Sequence, residues 1–220
     1  MFEQAIQLDP AYASAYAALG STRLNAAVNG WTEFRDEALR DAENMAQKAV
    51  ELDADNAEAH RLLGRIYFTK GQFDLANDEY DRAIALNPND AESYDARGEI
   101  LLYTGHPKEA LESFDIAKRL NPSGGDRLAP VGWAYYFLRR YEGAVTAFAL
   151  DVRAYPDDHY GYSGLAAAHA QLGRSTEAAQ AVNDLKRVWP FFEIKRFVEQ
   201  FQGDDHRALI VEGLRKAGLR

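Results

Sequence analysis

The 220-residue chain contains no cysteine, which excludes disulfides, thiolate metal ligands and thiol nucleophiles while leaving the redox compartment unspecified. No apolar run approaches the ~20 residues that a membrane-spanning helix needs, and the N-terminus lacks the basic, apolar, small-residue order of a signal peptide. A cytoplasmic location without membrane contact is the expectation. Basic residues are few and scattered: 25 Lys and Arg stand against 34 Asp and Glu, for a net charge of −9. Such a surface repels phosphate backbones, so nucleic acid is not an expected partner. The GxGxxG, GxxxxGK[ST], GxSxG and HExxH patterns are all missing, and the one Gly pair, Gly124-Gly125, falls in a turn between repeating segments. The five histidines sit at unrelated positions, and His159 and His169 are nearly three helical turns apart, too far to chelate one ion. Asp157-Asp158-His159 reads as a helix start, where acids complement the dipole. No catalytic residue, metal or cofactor is expected.

What the sequence does have is a period. Pro88, Pro122, Pro156 and Pro190 are spaced 34 residues apart, and self-similarity of this kind organises a fold before secondary structure is considered. Counting back from each proline, small residues recur at Gly64, Gly98, Gly132 and Ala166, then at Ala76, Ala110, Ala144 and Ala178. Small side chains at these places let two helix axes approach. Four residues after each alanine of the second set come Tyr80, Phe114, Phe148 and Val182, the i, i+4 stripe of a buried helical face. Each proline then stops a helix pair, with Asn87, Asn121 and Asp157 beside the turn. The chain reads as all-α, with no strand-like alternation.

This pattern resembles the tetratricopeptide repeat over nearly the whole chain. Residues 57–90 carry it most fully, with Leu63, Gly64, Tyr67, Gly71, Phe73, Ala76, Tyr80, Ala83 and Pro88 in register. His60 stands in place of a large aromatic, Arg97 in place of leucine, and Asp151 and Leu185 in place of alanine. The resemblance implies an α-solenoid wound as a right-handed superhelix, with units at 57–90, 91–124, 125–158 and 159–192. Residues 11–56 form a stretched unit: Pro10 to Ala54, the position equivalent to the next proline, spans 44 residues, ten more than the period, the excess lying around LNAAVNGWTEFRDEALRDA. A turn at Asn29-Gly30 would either project Trp31 and Phe34 beyond their neighbours or pack them into the longer hairpin. Residues 193–220 read as two capping helices, the first with Ile194, Phe197, Val198 and Phe201, the second with Leu209, Ile210 and Leu214. MFEQAIQLDP parallels YDRAIALNP at 80–88, so residues 2–10 read as the end of a leading repeat whose apolar edge, Phe2, Ile6 and Leu8, is exposed unless another domain, another copy or the bend of the chain covers it.

In such a solenoid the first helix of every unit lines a concave face. The lining positions bring up two patches. Arg61 and Arg65, with Phe68 beyond them, face Asp95 and Glu99 one repeat later; the arginines are either a fork for a partner's carboxylate or already paired with those two acids. Asp126, Ala129, Trp133, Tyr136 and Tyr160 follow, and the three aromatics form either an open binding patch or padding between helices. The Lys/Asn, Asn, Lys/Arg clamp of co-chaperones that hold acidic chaperone C-termini is absent. The overall layout, with GWAYYFLRRYEGAVTAF, AAAHAQLGRSTEAAQAV and a tail ending VEGLRKAGL, is similar to the C-terminal region of bacterial regulators that carry class III adenylate/guanylate cyclase or winged-helix domains. That resemblance implies a non-catalytic signalling module that takes a peptide or protein segment in its groove. The alternative is a scaffold that self-associates through the N-terminal edge into a homo-oligomer.

Overall fold

The computed structural model describes residues 1–124 and 128–219, so Gly125 of the glycine pair and the lining residue Asp126 lie outside the described residues. Thirteen helices and no strand are found among the described residues. They are α1 (Phe2–Leu8), α2 (Ala13–Val28), α3 (Arg35–Leu52), α4 (Ala57–Thr69), α5 (Phe73–Leu86), α6 (Ala91–Tyr103) and α7 (Pro107–Leu120). Then follow α8 (Ala129–Phe137), α9 (Tyr141–Ala154), α10 (His159–Gln171), α11 (Ser175–Val188), α12 (Ile194–Val198) and α13 (Asp204–Lys216). The chain forms two compact units, Met1–Ile100 and Leu101–Arg220, divided within α6.

Consecutive helices pair as antiparallel hairpins, and the repeat chemistry explains how. The turn inside the hairpins places Gly71, Gly105, Arg139 and Gly173 at positive φ, one period apart. Three of the four are glycine, which enters this region without steric cost; Arg139, at φ 58°, is the only non-glycine residue with positive φ among the described residues. Hairpins end where the backbone leaves helical geometry, with φ between −149° and −127° and ψ between 79° and 98° at Asp53, Asn87, Asn121, Tyr155 and Trp189. The next helix is started by a side chain: Asn56 accepts from the Ala59 amide at 3.0 Å, and Asp158 from the Tyr160 amide at 3.0 Å.

Close approach comes from the small residues. Ala76, Ala110 and Ala144 have no exposed surface. The Tyr80 ring lies on Gly64, where a methyl would come within 3.0 Å of it. Phe148 is held between Gly132 and Gly164, and a methyl on either would run into its ring. Packing this tight fills space that a larger side chain would have to force open.

The stretched first hairpin keeps its length. Helices α2 and α3 have 16 and 18 residues, against 13 and 14 in α4 and α5. Ala27 and Leu39 close its apolar interior. Beyond them the tip turns at Gly30, φ 68°, and leaves Trp31 75% and Phe34 67% exposed. These aromatics therefore project instead of packing the hairpin against itself, because the turn ends the interhelical interior before their side chains begin.

The repeat departures are absorbed locally. His60 is buried, with Nδ1 2.6 Å from a Glu79 oxygen and Nε2 3.0 Å from the Ala54 carbonyl, so hydrogen bonds tie down a site that a large aromatic fills by volume. Asp151 is fully buried and accepts from the Ala129 amide at 2.9 Å, capping α8, whose own N-terminal residue Leu128 offers no side-chain cap. Burial, and the neighbouring Asp158 carboxyl, push the Asp151 carboxyl up to about 6, although the bond from Ala129 works the other way.

Candidate functional site

The inner face of the first unit is built by α2, α4 and the first part of α6. On α4, residues 61, 65 and 68 recur at i, i+4 and i+7, which places Arg61, Arg65 and Phe68 on one stripe, each half-buried. Arg61 is engaged by three carboxylates: Glu58 at 2.6 Å, Asp90 at 3.5 Å, and Glu92 in a short contact. Burial opposes its charge, but the hydrogen bonds and charge of Glu58, joined by Glu92 and Asp90, outweigh it and hold the guanidinium above its ordinary value. Arg65 donates to Asn25 Oδ1 on α2 at 2.9 Å. Phe68 stacks at a tilt on Phe73, ring centres 5.8 Å apart.

Of the two sequence readings for the arginines, engagement by acids describes Arg61. The acids that hold it are Glu58, Asp90 and Glu92, at the helix starts, while Asp95 is exposed and Glu99 half-buried further along α6. Asp90 is itself fixed as the cap of α6, accepting from the Glu92 amide at 3.2 Å and the Ser93 hydroxyl at 2.6 Å. Three carboxylates, Glu58, Asp90 and Glu92, thus surround the Arg61 guanidinium.

The second unit's aromatic patch requires a correction. Trp133 and Tyr136 are not open: they are 1% and 0% exposed, because α12 and α13 fold back against α8 and α10. Trp133 meets Phe197 and Phe201 at ring-centre distances of 5.6 and 5.9 Å. The Tyr136 hydroxyl donates to the Leu209 carbonyl at 2.9 Å, and burial pushes its phenol above the ordinary range, keeping it a neutral donor. Tyr160 is half-buried and donates to Gln200 Oε1. Lys216 Nζ reaches Gln171 Oε1 at 2.9 Å, and the Gln202 amide donates to the Tyr103 carbonyl at 2.6 Å. The tail therefore lies across the inner positions of α8 and α10. The register shows which residues face inward; it does not show that Leu209, 73 positions after Tyr136, covers one of them.

Among the described residues, no group of three or more His, Cys, Asp or Glu is placed to hold a metal ion. No described helix is long and apolar enough to cross a membrane.

Stacked antiparallel helix pairs, with inner faces built from the first helix of each pair, define a helical-hairpin repeat protein. Two segments of the chain match models of one such repeat, the tetratricopeptide repeat. Residues 64–105 match the family model described as TPR repeat, and residues 132–191 match that described as tetratricopeptide repeat. No curated protein matches the chain. Among solved structures, the chain is similar to YrrB, a TPR protein with an unusual peptide-binding site, at TM-score 0.65 and 19% identity over 98% of each chain. It is similar to Pseudomonas aeruginosa PilF at TM-score 0.67 and 22% identity, over 87% of this chain and 82% of that one. Against the Cut9–Hcn1 assembly of the APC/C, the TM-score is 0.73 at 16% identity, over 99% of this chain and 38% of that one. At these identities the likeness is one of fold. Tetratricopeptide proteins bind protein or peptide partners, and the fold is typically non-catalytic.

Proposed function

We propose that this chain is a non-catalytic protein-interaction module that takes an extended peptide or protein segment on the inner face of its first unit. The candidate contacts are Arg61, Arg65, Phe68, Asp95 and Glu99. The observation that carries this reading is the contrast between the two inner faces. The one on α8 and α10 is apolar and already holds α12 and α13, whereas the one on α4 and α6 is charged and half-exposed. The excess of carboxylates around Arg61 favours a segment bearing Lys or Arg, with Phe68 for an apolar side chain. The peptide-binding neighbour YrrB supports a peptide ligand in kind. A regulatory setting in a bacterial, cytoplasmic protein belongs to the same proposal and rests on the sequence layout.

Selection from a displayed library of random dodecapeptides tests it. Selected peptides are expected to carry Lys or Arg, and Glu92→Lys or Asp95→Lys is expected to weaken them about tenfold, roughly 1.4 kcal/mol. Binders without basic residues, or binders indifferent to both changes, would sink the proposal. Self-association through α1 is the second reading, favoured by the exposure of Leu8 and Tyr12. Sedimentation velocity across concentrations decides it, a single monomeric species counting against it.

A further inference from the structure

Two exposed aromatic patches of opposite charge lie outside the inner faces. Trp31, Phe34 and Phe191 are the most exposed aromatic side chains among the described residues, the last at 86%. Trp31 and Phe34 stand at the tip of the α2–α3 hairpin in the first unit, where residues 28–37 carry Glu33, Asp36 and Glu37 against Arg35 alone. Phe191 stands in the turn between α11 and α12 in the second unit, where residues 186–196 carry Lys186, Arg187, Lys195 and Arg196 against Glu193 alone. That second run is basic within a chain of net charge −9.

Main-chain bonds hold both patches in place. At the tip, the Asn29 amide donates to the Asn25 carbonyl at 3.0 Å, the Trp31 amide to the Ala26 carbonyl at 2.9 Å and the Phe34 amide to Thr32 Oγ1 at 3.1 Å. In the turn after α11, the Trp189 amide donates to the Leu185 carbonyl at 2.7 Å and the Phe192 amide to the Trp189 carbonyl at 3.2 Å. The Trp189 ring meets His159 edge-on at 4.4 Å and Phe192 at 5.5 Å, so Phe191 projects from between two anchored aromatics. An aromatic presented by a fixed backbone loses little freedom when a partner covers it, which is what a binding hot spot requires. The charged side chains of both patches are exposed, and Glu33, Glu37, Lys186, Lys195 and Arg196 form no ion pair among the described residues. On α1, by contrast, Glu3 already pairs with Arg23 at 3.3 Å and Asp9 accepts from the Ala11 amide at 3.0 Å.

We propose that the α2–α3 tip of one copy docks on the α11–α12 turn of a second copy, burying the aromatics of both patches and setting the acids of one against the bases of the other. Both patches are exposed in the single chain, so what covers either is another molecule. A second copy brings the complement of both at once, whereas an anionic bilayer matches the turn alone and repels the chain's net charge. The contact is heterologous, each copy offering one tip and one turn. It rests neither on the peptide reading of the first unit nor on association through α1.

Sedimentation velocity of the full chain at rising concentration is the test. Self-association is expected, weakened at least about tenfold by Trp31→Ala with Phe34→Ala and by Phe191→Ala, and weakened by added salt. A one-to-one mixture of the tip variant and the turn variant reads the geometry. Each keeps the half that the other lacks, so the mixture is expected to form a dimer and nothing larger, at concentrations where either alone is monomeric. Leu8→Asp on α1 is expected to leave the association unchanged. If Phe191→Ala loses its helical circular dichroism, Arg196→Glu replaces it with the same expectation. A chain that stays monomeric at every concentration overturns the proposal, whether or not it binds vesicles of anionic phospholipid. Association untouched by the tip and turn variants, or abolished by Leu8→Asp, also overturns it, as does a mixture that stays monomeric.

Discussion

Asp151 offers the sharpest check on the packing of the second unit. Its carboxyl is buried where the two preceding repeats carry Ala83 and Ala117, capping α8 beside Asp158, and burial raises it to about 6 from an ordinary 3.8. Between those values the folded protein keeps a proton that the unfolded chain has released. Stability from this group is thus fully present below about pH 4 and is lost as pH rises through 6. The gap corresponds to about 3 kcal/mol, most of it lost between pH 4.5 and 8. Asp151→Asn keeps the acceptor for the Ala129 amide and removes the titration. Urea unfolding, followed by circular dichroism and tryptophan fluorescence from pH 4.5 to 8, should show the Asn chain gaining on the wild type by about 2 kcal/mol across that range. A difference that stays flat with pH, or that favours Asp as pH rises, would refute the reasoning.

Other expectations follow from the same geometry. Arg139→Gly relieves the left-handed residue of the α8–α9 turn and should raise stability by about 0.5 to 1 kcal/mol, seen as a higher melting temperature in calorimetry. Gly164→Ala should destabilise by about 1 to 3 kcal/mol through collision with Phe148, measured by urea titration. Asn56→Ala should cost about 1 kcal/mol by removing the cap of α4 in the same assay. Trp31→Ala, at an exposed tip, should move stability by less than about 0.5 kcal/mol.

Periodicity made much of the fold legible. Proline spacing sets the hairpin ends, and Gly64, Gly132 and the alanines mark where rings and helices touch. The ten extra residues around Gly30 lengthen α2 and α3 and push Trp31 outward. What the period does not encode is any contact outside the period. Trp133 and Tyr136 face inward as their register says, but their cover comes from Phe197, Phe201 and Leu209, on a segment with no repeat signature. Arg61 has acids within reach as its register suggests, yet helix-start residues Asp90 and Glu92 hold it, since capping fixes Asp90 near the guanidinium. Asp151 reads as a flaw in the pattern because its partner, the Ala129 amide, is a main-chain group.

The central claim is that the first unit's charged inner face binds and the second unit's apolar face is held by its own tail. Amide hydrogen exchange with a selected Lys/Arg-bearing peptide tests it most directly. Protection confined to α4 and the first turns of α6, with α8 and α10 unchanged, is the result predicted; protection on α3, α5 or α9, or on α8 and α10 alone, would contradict it.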